Sequence, residues 1–142
     1  MAAMLNPKDI DIYISLGSVL FEKGEVNNAL NAYKIALEIE PRNAKVHCNI
    51  GYLLWGQGVI QDSIRHYEKA IELDLYYDIA YNNLGVIYLD ELGNIEKAVE
   101  LFEKAIDINP NYALAYYNIG RSMMIKGDKI EAAKLFHESI EK

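Results

Sequence analysis

Apolar residues recur along the chain with helical spacing, and the same spacing repeats around four glycines. An aromatic residue or histidine, an aliphatic residue, a glycine and a further apolar residue occupy positions i, i+3, i+4 and i+7. These glycines, which lie 34, 34 and 35 residues apart, are Gly17, Gly51, Gly85 and Gly120. The spacing predicts one amphipathic helix around each glycine, and its recurrence predicts an array of four similar units.

A second helical pattern follows in every unit. It consists of a small residue, an aromatic residue four positions later and another small residue three positions beyond that. The four sets are Ala29, Tyr33 and Ala36; Ser63, Tyr67 and Ala70; Ala98, Phe102 and Ala105; and Ala132, Phe136 and Ser139. Each unit is therefore predicted to hold two helices.

Glycines and prolines mark where these helices end. Gly24, Gly58, Gly93 and Gly127 separate the two helices of each unit. Pro41 and Pro110 separate units, because proline lacks a backbone N–H and fixes φ. The third unit carries one extra residue before Gly93, which we expect to lie in the loop between its helices.

The four units resemble the tetratricopeptide repeat. Its signature W-x-x-L-G-x-x-Y, then A-x-x-x-F, then P is matched most fully by Tyr81, Leu84, Gly85, Tyr88, Ala98, Phe102 and Pro110. The resemblance, to arrays like those of bacteria and archaea, covers about residues 10–142. It implies an all-α fold, a right-handed superhelical solenoid of antiparallel helix pairs. We expect a single domain, residues 1–142, with repeats 10–43, 44–77, 78–112 and 113–142.

The helix glycines need a compensating gain, because glycine inside a helix costs about 1 kcal/mol relative to alanine. We expect that the missing Cβ lets the second helix lie tight against the first, with Ala29, Ala98 and Ala132 as small counterparts. The second repeat departs most from the pattern. His47 replaces tyrosine and Ser63 replaces alanine, while Leu75 stands where other repeats carry proline.

The composition restricts the classes of function. Of 142 residues 51% are hydrophobic, which is ample for a continuous core, and the formal net charge is −7 with no cluster of Lys or Arg. Nucleic-acid binders need a basic surface to displace counterions from phosphate, so this class is not expected. The acidic surface favours solubility and, as an alternative, attraction of basic partners.

The sequence also predicts a cytoplasmic protein without a membrane-spanning segment. No apolar run could cross a bilayer, and the first nine residues lack the core of a signal peptide. The single cysteine, Cys48, excludes an intramolecular disulfide, which fits a reducing compartment. Cys48 is expected to be a small buried apolar residue.

No catalytic or metal-binding motif is evident. The three histidines, His47, His66 and His137, form no H-x-x-x-H pair, so neither a metal nor a cofactor is expected. His47 is predicted to be a packed ring with a local hydrogen bond. The carboxylates of Asp90 and Glu91 are predicted to lie in a solvated loop, with nothing apolar around them to raise their pKa.

In tetratricopeptide arrays the first helices line a concave groove, and the resemblance implies which residues line it here. One position before each aliphatic–glycine pair stand Ser15, Asn49, Asn83 and Asn118. An asparagine amide can both donate to and accept from a peptide backbone, so these residues resemble the asparagine ladder of some arrays that grip extended peptides. The alternative is that they serve solubility or helix packing.

Further rows of the groove are apolar with polar interruptions. Four positions after each glycine stand Phe21, Trp55, Leu89 and Met124, a row that could instead be partly core. The complete predicted peptide-binding set is Asn49, Asn83, Asn118, Asn82, Tyr52, Trp55, Val86, Leu89, Tyr117, Arg121 and Met124. The resemblance also implies that the clamp for a chaperone's acidic C-terminus is absent, because its positions hold Ile14, Ser18, Asn49, Ile79 and Asn83.

The leading hypothesis is a non-catalytic scaffold that binds a protein or peptide segment. The chain stops inside the second helix of the fourth repeat, with no capping helix. We expect either a fragment of a longer protein or a face that meets another molecule, formed by Ile130, Ala133, Phe136 and Ile140. The alternatives are therefore head-to-tail self-assembly through the fourth repeat, or the targeting region of a larger enzyme.

Overall fold

Each predicted helical segment is a helix in the structure, a computed structural model that describes residues 9–142. The bounds are α1 Ile10–Glu22, α2 Val26–Ile39, α3 Ala44–Gly56, α4 Ile60–Leu73, α5 Asp78–Asp90, α6 Ile95–Ile108, α7 Ala113–Lys126 and α8 Lys129–Glu141. Across residues 9–142 the regular structure is entirely helical. The short connections within each pair reverse the chain, so that α1 packs on α2, α3 on α4, α5 on α6 and α7 on α8.

Short polar side chains and glycine set the helix boundaries. The side chains of Asn43, Asn94 and Asp128 accept hydrogen bonds from backbone N–H groups of α3, α6 and α8, which would otherwise lack a partner. Gly127 ends α7 with φ +88°, a left-handed conformation that a side chain would disfavour. The predicted extra residue lies between α5 and α6, where the connection spans residues 91–94.

The chain divides into two compact units, residues 9–73 of the described chain and Asp74–Lys142. Within the first unit α2 packs on α3, and its core comprises Ile14, Ala29, Tyr33, Ala36, Val46, Ile50 and Leu53. Within the second unit α6 packs on α7, and Leu89, Ala98, Phe102 and Ile119 form a buried cluster. In both units the second helix of one repeat covers the first helix of the next.

Aromatic rings occupy the space that the helix glycines leave open. A Cβ built on Gly85 would lie 2.6 Å from the ring of Phe102, and one on Gly51 would lie 3.1 Å from the ring of Tyr67. Gly17 meets Tyr33 and Gly120 meets Phe136 in the same way. The close approach of the two helices is therefore confirmed. The alanines are fully buried as well, but the atoms facing the glycines belong to the aromatic rings.

In three of the first helices, the residue at the aromatic position forms a hydrogen bond with a backbone carbonyl in the turn that precedes the helix. The hydroxyl of Tyr81 donates to the Leu75 carbonyl at 3.2 Å, and that of Tyr116 donates to the Pro110 carbonyl at 3.0 Å. Burial, and secondarily the Asp74 carboxylate, raises the pKa of Tyr81, which keeps its hydroxyl protonated as a donor. The Leu75 carbonyl thus accepts the same hydrogen bond that the Pro110 carbonyl accepts one repeat later.

The other departures of the second repeat are accommodated in the same manner. His47 Nε2 lies 3.0 Å from the Pro41 carbonyl, the acceptor six residues back that the tyrosines also use. This contact confirms the predicted local hydrogen bond of His47. Ser63 is fully buried, and its hydroxyl donates to the Gly51 carbonyl at 2.6 Å, so the polar side chain is satisfied inside the core.

Candidate functional site

Three aromatic side chains of the first unit surround an open cleft. Phe21 lies in the last turn of α1, and Tyr52 and Trp55 lie on α3. Their rings meet edge to face, with centroids 5.7 Å apart for Phe21 and Tyr52 and 6.2 Å apart for Tyr52 and Trp55. Together with Gly56 they line a cleft of about 340 Å³, which we call the aromatic cleft.

The aromatic cleft follows from the repeat register. Phe21 and Trp55 each stand four residues after a helix glycine, so successive first helices present them side by side. Phe21 is 38% exposed and Tyr52 is 47% exposed, a large apolar area left in contact with water. Such a concave aromatic surface is suited to an apolar side chain of a partner. Of the predicted peptide-binding set, the structure therefore brings Tyr52 and Trp55 together. Phe21, which lies outside that set, lines the same cleft.

Polar side chains link α5 to α7 in the second unit. The amide of Asn118 donates to the side-chain oxygen of Asn82 at 2.9 Å. Asn82 in turn approaches Asn83 at 3.4 Å, and Arg121 approaches Asn118 at 3.4 Å. Arg121 also forms an ion pair of 2.7 Å with Asp90. We call Asn82, Asn83 and Asn118 the amide network.

Burial removes three predicted residues from any open surface. Asn82 is 0%, Asn118 3% and Leu89 4% exposed. Leu89 packs with Ala98, Phe102 and Ile119, so this member of the apolar row belongs to the core, as the alternative interpretation held. For Asn118 the structure favours the helix-packing alternative over a ladder, because its amide is directed at Asn82.

The remaining predicted residues reach the surface to different extents. Tyr117 and Met124 are exposed, and Asn49, Asn83, Val86 and Arg121 are half-buried. Asp90 is exposed as predicted, but it is the last residue of α5 rather than part of a loop, and it pairs with Arg121. Opposite charges near the same end of successive first helices were the sequence signal for this pair.

Two histidines that lie 19 residues apart in the sequence are in contact in the first unit. His47 Nδ1 on α3 lies 3.1 Å from His66 Nδ1 on α4. Burial of His66, and then the neighbouring His47, Arg65 and Lys34, lowers its pKa, so its ring is neutral at pH 7. Asp62, Arg65 and Lys69 line the same cleft of about 350 Å³. Among the described residues, no group of three or more His, Cys, Asp or Glu is placed to hold a metal ion.

The predicted face of α8 is only partly open. Ile130 and Ile140 are 74% and 82% exposed, and Ala133 is exposed as well. Phe136 instead packs over Gly120 and against the ring of Tyr117, with centroids 5.4 Å apart. Within the described part of the chain, every helix is too short or too polar to cross a bilayer.

Comparison with known proteins identifies the repeat. One family model, described as TPR repeat, matches residues 17–58 and 91–127, and a second, described as Tetratricopeptide repeat, matches residues 44–77. Comparison with curated protein sequences gives no match.

Solved structures agree with the family models. The crystal structure of MamA is similar to this chain with 30% identity and a TM-score of 0.83, over 96% of this chain and 79% of the other. A second MamA structure, residue 41 to the end of the protein from Desulfovibrio magneticus RS-1, has 22% identity and a TM-score of 0.79, over 94% and 75% of the two chains. PilF of Pseudomonas aeruginosa, at 23% identity, has a TM-score of 0.87 over 96% of this chain and 62% of the other. The predicted all-α array of helix pairs is confirmed, and the chain belongs to the tetratricopeptide-repeat family.

Proposed function

We propose that this chain is a non-catalytic scaffold that binds a peptide segment of a partner protein, with an apolar side chain of that peptide in the aromatic cleft. Tetratricopeptide repeats generally serve protein–protein interaction, which supports the broad class. The aromatic cleft is the observation that carries the narrower proposal. It combines exposed apolar area with a concave shape.

The chemistry of the cleft favours one kind of side chain. Edge-to-face rings present both positive edges and negative faces, so an aromatic or long aliphatic side chain can pack between them with good geometry. Tyrosine and tryptophan also dominate the binding energy of many interfaces, because they bury large areas at low entropic cost. We therefore expect a peptide with a Phe, Tyr, Trp, Leu or Met anchor.

The scaffold proposal can be tested without a known partner by selecting a phage-displayed peptide library on the intact protein. Selected peptides should share a large apolar residue. Their affinity should fall at least about tenfold for the Phe21→Ala and Tyr52→Ala variants, because each loses an anchor contact of about 1.4 kcal/mol or more. Fluorescence polarisation with labelled peptides measures the change.

Tyr76→Ala is the matched control, since Tyr76 is an exposed aromatic residue outside the cleft. It should leave affinity unchanged, and circular dichroism should show equal helix content in all variants. Peptides that bind the Phe21→Ala/Tyr52→Ala double variant as tightly as the parent would contradict the proposal.

A second candidate function, self-association through α8, rests on the exposure of Ile130 and Ile140 on one helix. In this mode the apolar side chains of α8 are buried against another copy, in a head-to-tail contact. Sedimentation velocity should then show a mass that rises with concentration, and Ile140→Glu should abolish the rise. Leu92→Glu, at an exposed apolar residue outside α8, serves as control. A monomer at all concentrations would count against this candidate.

A further inference from the structure

The second repeat carries histidine at two positions where the third repeat carries other residues. His47 has the register of Tyr81, and His66 has the register of Leu101. Both replacements lie in the same helix pair, α3 and α4, and they place two ring nitrogen atoms 3.1 Å apart. A tyrosine and leucine at these positions pack well in the third repeat, so the fold does not require the two histidines.

The hydrogen bonds of His47 fix which of its nitrogen atoms carries a lone pair. A carbonyl oxygen only accepts, so the contact with the Pro41 carbonyl requires Nε2–H of His47 as donor. In the neutral ring the lone pair is then on Nδ1, which faces His66. A histidine that donates one N–H to a backbone carbonyl and offers its other nitrogen is the arrangement found in metal-ligating histidines.

We propose that His47 and His66 form a binding site for a divalent first-row transition metal ion such as Zn²⁺, which bridges α3 and α4. Two nitrogen atoms at the usual Zn–N distance of about 2.0–2.1 Å, separated by the observed 3.1 Å, subtend about 98° at the metal. This angle lies between the square-planar and the tetrahedral values. Imidazole is a preferred ligand for zinc, nickel and copper.

Metal binding replaces the direct contact between the rings. With Nδ1 of His47 as acceptor, His66 supplies the proton that now lies between the two nitrogen atoms. On binding, that proton moves through solvent to Nε2 of His66, so the ring stays neutral and no net proton is released. The cleft beside the rings has a volume of about 350 Å³, which leaves space for the rings to turn and for water ligands.

Two of the basic groups near the rings are paired with carboxylates. Arg65 forms an ion pair with Asp62, and Lys69 lies 3.3 Å from Glu72, while Lys34 adds a further positive charge near His66. Asp62 stands one turn before His66 and lines the same cleft. The site therefore offers two imidazole nitrogen atoms, and water completes the coordination.

The site is tested by isothermal titration of the intact chain with Zn²⁺, repeated with Ni²⁺, at pH 7.5. We expect one ion per chain and a weakening of at least about tenfold in His47→Tyr and in His66→Leu. These two variants reproduce the residues of the third repeat, and tyrosine at position 47 can keep the bond to the Pro41 carbonyl, so both should fold. His137→Ala removes an exposed histidine of α8 and should bind as the parent does.

Nuclear magnetic resonance of the histidine rings gives an independent readout. Zn²⁺ should shift the ring signals of His47 and His66 together and leave those of His137 unchanged. Absence of binding, or equal affinity in the parent, His47→Tyr and His66→Leu, would overturn the proposal and leave the pair as a hydrogen bond between neutral rings. The result does not depend on peptide binding, because the aromatic cleft shares no residue with this site.

Discussion

Replacing Gly85 with alanine is expected to lower the free energy of unfolding by about 2 kcal/mol. The new Cβ would lie 2.6 Å from the ring of Phe102, closer than carbon atoms pack, and Phe102 is completely buried. Overpacking of a dense core costs about 1–3 kcal/mol, and the upper part of this range applies because a buried ring cannot swing away. Alanine returns only about 1 kcal/mol through its helix propensity. Urea denaturation followed by circular dichroism measures the difference.

Gly51→Ala is the matched control for this steric argument. Its Cβ would lie 3.1 Å from the ring of Tyr67, a contact that a shift of a few tenths of an ångström relieves. We expect a change of less than about 1 kcal/mol, because the gain in helix propensity offsets the remaining strain. When Phe102→Leu is combined with Gly85→Ala, the smaller side chain at position 102 should restore part of the stability that Gly85→Ala loses. Equal losses at Gly51 and Gly85 would show that contact distance does not control the effect.

The helix pairs could be predicted because one period recurs four times along the chain. A local error in one repeat is corrected by the other three, which is why the boundaries near Gly127 and the longer loop before Gly93 agree with the structure. The repeat spacing shows that two helices meet at Gly85. It does not show which side chain covers the glycine, so alanine was assigned where the ring of Phe102 lies.

The repeat register could not predict how deeply each residue of the site is buried. Leu89 and Trp55 occupy equivalent positions, yet Leu89 is in the core while Trp55 lines the aromatic cleft. In the second unit Leu89 shares a buried cluster with Ile119 of α7. A register position identifies the face of a helix, whereas burial depends on the side chains that the next helix places opposite.

The contact between His47 and His66 could not be predicted from a short motif, because the two histidines lie on different helices. Ligands at i and i+4 share a helical face, but His47 and His66 lie on two helices, 19 residues apart. Comparison between repeats would have found them, because Tyr81 and Leu101 mark the same two positions in the third repeat. In a repeat array, departures that occur in pairs therefore carry more information than short motifs.

The amide network is expected to contribute to stability, and Asn82→Ala should lower the free energy of unfolding by about 2 kcal/mol. Asn82 is fully buried and accepts from the Asn118 amide at 2.9 Å. Its removal leaves a buried donor on Asn118 without its acceptor, a loss of about 1–3 kcal/mol, and also leaves a small cavity. Urea denaturation of Asn82→Ala, Asn118→Ala and the double variant measures the coupling, and the double variant should lose less than the two single losses combined.

Asn49→Ala provides the comparison, because Asn49 is half-buried and most changes at such positions alter stability by less than about 0.5 kcal/mol. If Asn82→Ala were as stable as Asn49→Ala, the amide network would have no structural role, and the ladder interpretation of Asn118 would regain support. The burial of Asn118 also decides how the ladder must be tested. A triple replacement of Asn49, Asn83 and Asn118 would mix loss of binding with loss of stability, because Asn83 and Asn118 belong to the amide network. Asn49→Ala instead changes a half-buried side chain outside that network.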